Sequence, residues 1–136
     1  MPRVPVPANV DEFLKGPRHA VVATVGADGA PYTAVTWYGW TREGTVLLNM
    51  DASRRRLRHL RADPRVSLTV LTEDDWYSYV ALFGEVREIR PDLDLADIDE
   101  MSQRYLGRPY PHRDRTSWTA EVAVRSWHAW GALRPG

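Results

Sequence analysis

The 136-residue sequence predicts a mainly β domain, an antiparallel barrel of about six strands, closed or nearly so, carrying two or three short helices. Three observations predict it. Short runs rich in Val, Thr, Tyr and Trp recur along the chain, as in "HAVVATV" and "RVSLTVLT", and alternation of this kind marks strands. Turns of only a few residues join many of them, too short for the crossovers that parallel strands require. Closure of the sheet then removes the exposed edges that a small open sheet would have to protect. No internal repeat or low-complexity linker divides the sequence, so residues 1–136 read as one domain, long enough for a single core.

The elements follow in order. Pro2, Pro5 and Pro7 keep residues 1–8 extended. Asn9 starts a short helix with Glu12 at capping-box spacing; Val10, Phe13 and Leu14 form its apolar edge, and Gly16-Pro17 ends it;. "HAVVATV" (19–25) is a strand, "GADGAP" a turn with Asp-Gly at its tip, and "YTAVTWYGW" (32–40) the second strand;. The turn "TREG" leads to "TVLLNM" (45–50), the third strand of an expected antiparallel meander. Ser53 then caps a helix with Leu57 and Leu60 on one face, stopped by Asp63-Pro64;. "RVSLTVLT" (65–72) and "WYSYVALFGEVREIR" (76–90) are strands, the second bent at Gly84;. An acidic helix places Leu95, Ile98, Met101 and Tyr105 on one side and ends at Gly107;. "WTAEVAV" (118–124) and "WHAWGAL" (127–133) close the chain as two strands.

Composition excludes several functions. Eighteen basic residues, seventeen of them Arg, balance eighteen acidic ones, and a neutral chain is a poor match for polyanionic nucleic acid. With no Cys there is no disulfide scaffold, zinc thiolate or thiol catalysis. No signal core or membrane-length apolar run is present, so the expected location is cytoplasmic, without a membrane partner;. His19, His59, His112 and His128 are scattered without metal-binding spacing, and no GxSxG, GxGxxG or P-loop pattern occurs;.

The positive charge is local. Six arginines fall within the thirteen residues from Ser53, in "SRRRLRHLRADPR". If Ser53 caps a helix, Arg54, Arg55 and Arg56 occupy its first turn, where unpaired N–H groups and the macrodipole already create positive potential. Cations there cost a few tenths of a kcal/mol each, roughly, when exposed. An anion reverses that sign, and arginine matches phosphate oxygens bidentately. The pattern therefore reads as a phosphate site, with Arg58 and Arg61 continuing the stripe toward an acidic tail. Against it stand two other readings: a solvated face paired with the acidic segment 85–100, and a nucleic-acid surface, for which no HTH, zinc-finger, RRM or KH signature appears. Six Trp and six Tyr serve a core, a subunit interface or the wall of a site for a flat ligand.

The meander, "SRRRLRHLRADPRVSLTV", the long strand with "FGEV", the acidic helix with "QRYLG" and the closing "WHAWG" together resemble the pyridoxamine 5′-phosphate oxidase-like superfamily. The resemblance spans roughly residues 12–132 and is nearest to the flavin/deazaflavin oxidoreductases, B group, that use coenzyme F420. It implies a six-stranded antiparallel split β-barrel of the FMN-binding type. It also implies a homodimer with two shared cofactor sites. Carried over by position, Arg54 and Arg56 hold the cofactor phosphate beside Ser53, while Thr36, Asn49 and Met50 line the deazaflavin ring. Trp37 and Trp130, with Tyr77 and Tyr79 of the partner subunit, form the substrate wall. The implied reaction passes a hydride from reduced deazaflavin to a small conjugated acceptor, an enone, quinone or linear tetrapyrrole, and needs no side-chain nucleophile. FMN is the alternative cofactor, and a non-catalytic binder of F420 or of heme is the alternative function. His59 stands where relatives commonly have Asn, and the loop "GRPYPHRDR" is more basic than in similar sequences.

Overall fold

A computed structural model describes residues 2–134. One sheet of seven antiparallel strands carries the fold: β1 (His19–Val25), β2 (Pro31–Thr36), β3 (Gly39–Trp40), β4 (Thr45–Asp51), β5 (Arg65–Leu71), β6 (Tyr79–Pro91) and β7 (Ser117–Trp130). Three helices accompany it: α1 (Ala8–Leu14), α2 (Arg55–Ala62) and α3 (Ala96–Leu106). The strand order is β2-β1-β5-β6-β7-β4-β3. The mainly β, antiparallel split barrel predicted from sequence is therefore the fold.

The expected second strand is cut at Trp37–Tyr38 and the last two expected strands are merged, which leaves seven strands where about six were expected. The first part of the cut strand pairs with β1, and its last two residues pair with β4 at the far end of the order. The three-strand meander does not form, because β4 lies beside β7 instead. Tyr38 is the reason. Its side chain is fully buried, its hydroxyl donates to the Leu14 carbonyl (2.8 Å), and its backbone carbonyl accepts from Arg104 (2.5 Å). Its backbone N–H donates to the Tyr105 hydroxyl (3.3 Å). Side chains supply the partners that a strand ladder would have given this residue. Two consecutive strands thus sit at opposite ends of one sheet, and the barrel closes through a covalent link that leaves a seam.

Inward positions alternate as expected: Ala20 and Val22, Leu68 and Val70, Val80 and Leu82, Val122 and Ala120 are all buried;. The two expected C-terminal strands are one, β7, with a 3-10 turn at Gly131–Leu133. Arg125 is the extra residue of a bulge, since Phe83 pairs with Ser126 and Gly84 with Val124. The bend expected at Gly84 falls at this register shift.

Local details differ where a stronger partner wins. Helix α1 starts at Ala8 without a side-chain cap, and Asn9 donates instead to the Leu133 carbonyl (3.2 Å), so no capping box forms with Glu12. Leu95 has left-handed backbone (φ 59°) and lies outside α3, because the Asp92 carboxylate takes the Asp97 and Ile98 N–H groups (2.7 and 3.1 Å). Ile98 and Met101 remain the buried face of that helix.

A Cβ on Gly84 would strike the Ala123 carbonyl oxygen. Gly84→Ala should therefore destabilise the fold by about 1–3 kcal/mol, measured by urea denaturation with an unchanged slope.

Candidate cofactor and substrate site

The seam is an open slot between two strand edges. The outer edge of β2 has no strand beside it, and β4 loses its β3 neighbour beyond Leu47. A cavity of 460 Å³ occupies the gap, lined by Ala34, Val35, Thr36 and Trp37 on one side and Asn49, Met50 and Asp51 on the other. His19, Arg54, Arg56, Tyr105, Tyr110 and Arg115 complete most of the wall. Of the residues expected at the cofactor, Thr36, Asn49, Met50, Arg54 and Arg56 are brought together here.

Chain geometry at the end of β4 sets the arginines. Asp51 Oδ2 accepts the Ser53 N–H (3.1 Å) and also the Ser53 hydroxyl, while Asp51 Oδ1 accepts the Thr116 N–H (2.8 Å). These bonds hold the Asp51 carboxyl down at about 2, the Ser53 hydroxyl first among them. Ser53 is thereby committed to Asp51 and does not cap the helix. The N-cap is Arg54, in extended backbone and without a side-chain cap bond. Its N–H closes the turn onto the Asp51 carbonyl (3.0 Å). No acid stands in the first turn of α2, so the positive potential there is uncompensated.

Among the described residues, Arg54, Arg55, Arg56, Arg58 and Arg61 form no ion pair. The acidic residues of segment 85–100 that do pair are bound elsewhere: Glu85 to Arg125, Glu88 and Asp97 to Arg90, Asp99 to Arg113. The solvated-face reading thus loses its counter-charges. Burial, and then the neighbouring Arg54 charge, push the Arg56 guanidinium below its ordinary value, and its Nε is buried without a partner. A buried, unpaired donor on a cation is costly, and an anion relieves it.

A second cavity of 280 Å³ adjoins the first through Ala34, Arg54 and Arg56. Tyr32, Arg55 and His59 belong to it, with His59 Nδ1 2.9 Å from the Thr24 hydroxyl and its ring 4.8 Å from Tyr32. Arg58 and Arg61 line neither cavity, and Arg61 lies over the Trp118 ring at 4.6 Å.

Aromatic residues wall the other end. Trp37 stacks on Tyr105 (5.0 Å between centroids, 7° between planes) and meets Tyr110 edge-on at 5.7 Å. Tyr77, Tyr79 and Trp130 lie apart from this cavity. Tyr77 stacks on Trp76 at 4.2 Å in the turn before β6, and Tyr79 pairs with Trp130 across β6 and β7. Sequence reasoning missed His19, Tyr110 and Arg115 as cavity residues and placed Tyr105 only on a helix face. The basic loop 107–115 was the one signal pointing to Arg115. Among the described residues no group of His, Asp and Glu is arranged to hold a metal ion.

Residues 6–131 match the family model described as pyridoxamine 5′-phosphate oxidase. The chain belongs to that family. Its fold is similar to that of a solved F420 reductase, with a TM-score of 0.81 and 25% identity over 90% of this chain and 98% of the other. It is also similar to the conserved hypothetical protein Rv2991 from Mycobacterium tuberculosis (TM-score 0.75, 24% identity, covering 94% and 86%). General Stress Protein 26 from Bacillus anthracis str. Sterne shares the fold at 18% identity (TM-score 0.68, covering 90% and 91%). No curated protein matches the chain by sequence. Among the described residues of this family member, no helix is long and apolar enough to cross a membrane.

The Asp51 carboxyl should titrate at about 2 by carbon-detected NMR, and Ser53→Ala should move it up toward the ordinary 3.8. A depressed carboxyl contributes stability that is fully present above pH 3.8 and lost as pH falls through 2;. The stability difference between wild type and Ser53→Ala should accordingly shrink across that window.

Proposed function

We propose that this chain is an F420-dependent reductase that passes a hydride to a small conjugated acceptor. One observation carries the reading: an unneutralised arginine pair, Arg54 and Arg56, opens onto a slot between two free strand edges. The residues fit the cofactor. Arg54 and Arg56 hold its phosphate at the uncapped start of α2, where the orphaned Arg56 Nε needs an anion;. Thr36 on one edge and Asn49 and Met50 on the other border the flat ring, and Trp37 closes the wall on the acceptor side. When bound, reduced deazaflavin supplies the hydride. The protein's part is to orient both reactants, exclude water and meet charge arriving on the acceptor. Similarity to a solved F420 reductase supports the deazaflavin.

FMN is the second reading, favoured by one observation. Arg58 and Arg61, expected to meet the acidic tail of F420, line neither cavity. Calorimetric titration decides between them. Micromolar binding of F420 is expected, and binding of FMN alone overturns the deazaflavin. Arg56→Ala should weaken F420 binding about tenfold or more and flatten its salt dependence. Bound cofactor without turnover across an enone, quinone and tetrapyrrole panel would instead identify a binder.

The reading includes a homodimer. Two outward rows of the sheet carry no formal charge, Val35-Val21-Thr69-Ala81-His128 and Thr33-Ala23-Ser67-Phe83-Ser126, and most of their side chains are small or apolar. Val35, 77% exposed at the rim of this face, also lines the cavity. A second copy on the face therefore reaches the site, with Tyr77 and Tyr79 of the partner subunit as its contribution to the acceptor wall. Thr69→Arg should give a monomer by analytical ultracentrifugation; a dimer unchanged by that charge would place the interface elsewhere.

A further inference from the structure

Arg115 is a third cation on the cavity, and the phosphate reading leaves it unused. It precedes β7 and is clamped from two directions. Its Nη2 donates to Asn49 Oδ1 (2.9 Å), and its guanidinium lies over the Tyr110 ring at 5.0 Å. Asn49 is itself locked: Nδ2 donates to Asp92 Oδ2 (3.1 Å) and Thr119 Oγ1 (3.2 Å), and Ser117 Oγ donates to Asn49 Oδ1 (3.1 Å). The Arg115 guanidinium is therefore held in a fixed place before any ligand arrives.

That placement is expensive as pure structure. Arg115 Nε is buried without a partner, like Arg56 Nε, and both side chains line the same cavity. Among the described residues no carboxylate pairs with Arg115. The Asp51 carboxyl feels its charge, but both Asp51 oxygens are occupied by Ser53 and Thr116. An arginine serving only stability would extend its charge into water or meet an acid.

Arg115 shares the first cavity with Arg54 and Arg56 but has different neighbours. Arg54, Arg55 and Arg56 line the second cavity with Tyr32, Thr33 and Ala34 of β2, and Arg115 does not. Arg115 joins, through Tyr110, to Trp37 just past the C-terminal end of β2. Trp37, Tyr110 and Arg115 thus form one wall with an aromatic surface and a cationic corner.

We propose that Arg115 is a specificity-determining residue that binds a carboxylate on the acceptor, so that the preferred acceptors are flat conjugated acids. A planar π-system suits Trp37 and Tyr110, and a carboxylate suits the fork of a pre-positioned guanidinium. The inference rests on the proposed reductase reading, but it can be tested apart from it.

The test uses the full chain without cofactor, titrated calorimetrically with 2-naphthoate and with the uncharged 2-naphthamide. The acid should bind about tenfold more tightly. Arg115→Gln should abolish that preference, and Arg115→Lys should restore part of it. F420 affinity should be unchanged in both variants. Equal binding of acid and amide to the wild type overturns the proposal, as does a loss of F420 affinity in Arg115→Gln, which would assign Arg115 to the cofactor. With cofactor loaded, KM for a cyclohexenone carboxylate should rise about tenfold in Arg115→Gln, while the KM of its methyl ester and kcat for both stay unchanged. An equal kcat loss on acid and ester would also overturn it. If no acceptor is reduced by the wild type, the reductase reading fails, and the acid-against-amide comparison still judges Arg115.

Discussion

The whole arrangement depends on burying Tyr38 at the point where the chain leaves one edge of the sheet for the other. Its hydroxyl reaches the carbonyls of Leu14 and Gly16 at the end of α1, while Arg104 and Tyr105 of α3 hold its backbone. Desolvation pushes the phenol far above its ordinary value, opposed in part by the Arg104 charge, so it stays a neutral donor;. Because these groups replace ladder partners, β2 and β3 need not pair, and the barrel keeps a seam. The site is what that seam leaves open: two unpaired strand edges and the residues that reach across them.

The arginines acquire meaning from the same geometry. A helix start with three cations is locally unfavourable, and Ser53, which could have eased it as a cap, is drawn away by Asp51. Acidic residues 85, 88, 97 and 99 are neutralised by other arginines. What remains is a concentrated positive potential in a chain of zero formal charge. Since opposite charges were available and went elsewhere, the imbalance is a property of the site and not of composition.

Alternation and turn chemistry made the strands, the helices and the mainly β class readable from sequence. Six of the seven strands lie within predicted segments or extend them by a residue or a few, and the bend at Gly84 falls where a strand glycine implied one;. The split of residues 32–40 was not readable. Its cause is long-range: Tyr38 is held by residues of α1 and α3 that no local pattern links to it. The same limit governs the site. Arg54 and Arg56 stood out because they cluster in sequence, whereas Arg115 is brought to Asn49 across 66 positions by the pairing of β4 with β7. Ser53 misled because capping rules weigh local donors and acceptors without knowing that Asp51, two residues upstream, would compete.

Asn49 ties stability to the site. It sits 9% exposed among Asp92, Ser117 and Thr119, and Asp92 in turn caps the start of α3 through the Asp97 and Ile98 N–H groups. Removing one member of such a network leaves buried polar groups unpaired, so the cluster resists being loosened piecemeal. The remaining Asn49 contact is the bond it accepts from Arg115. A residue expected to touch the cofactor ring thus spends its side-chain amide on orienting a cation. It is β4's free edge, on which Asn49 and Met50 lie, that is left to face the slot. The fold holds the guanidinium with interactions that it needs anyway for α3 and β7. The Arg115 charge is therefore tied to a hydrogen-bonded cluster of the barrel, while the open seam supplies the room.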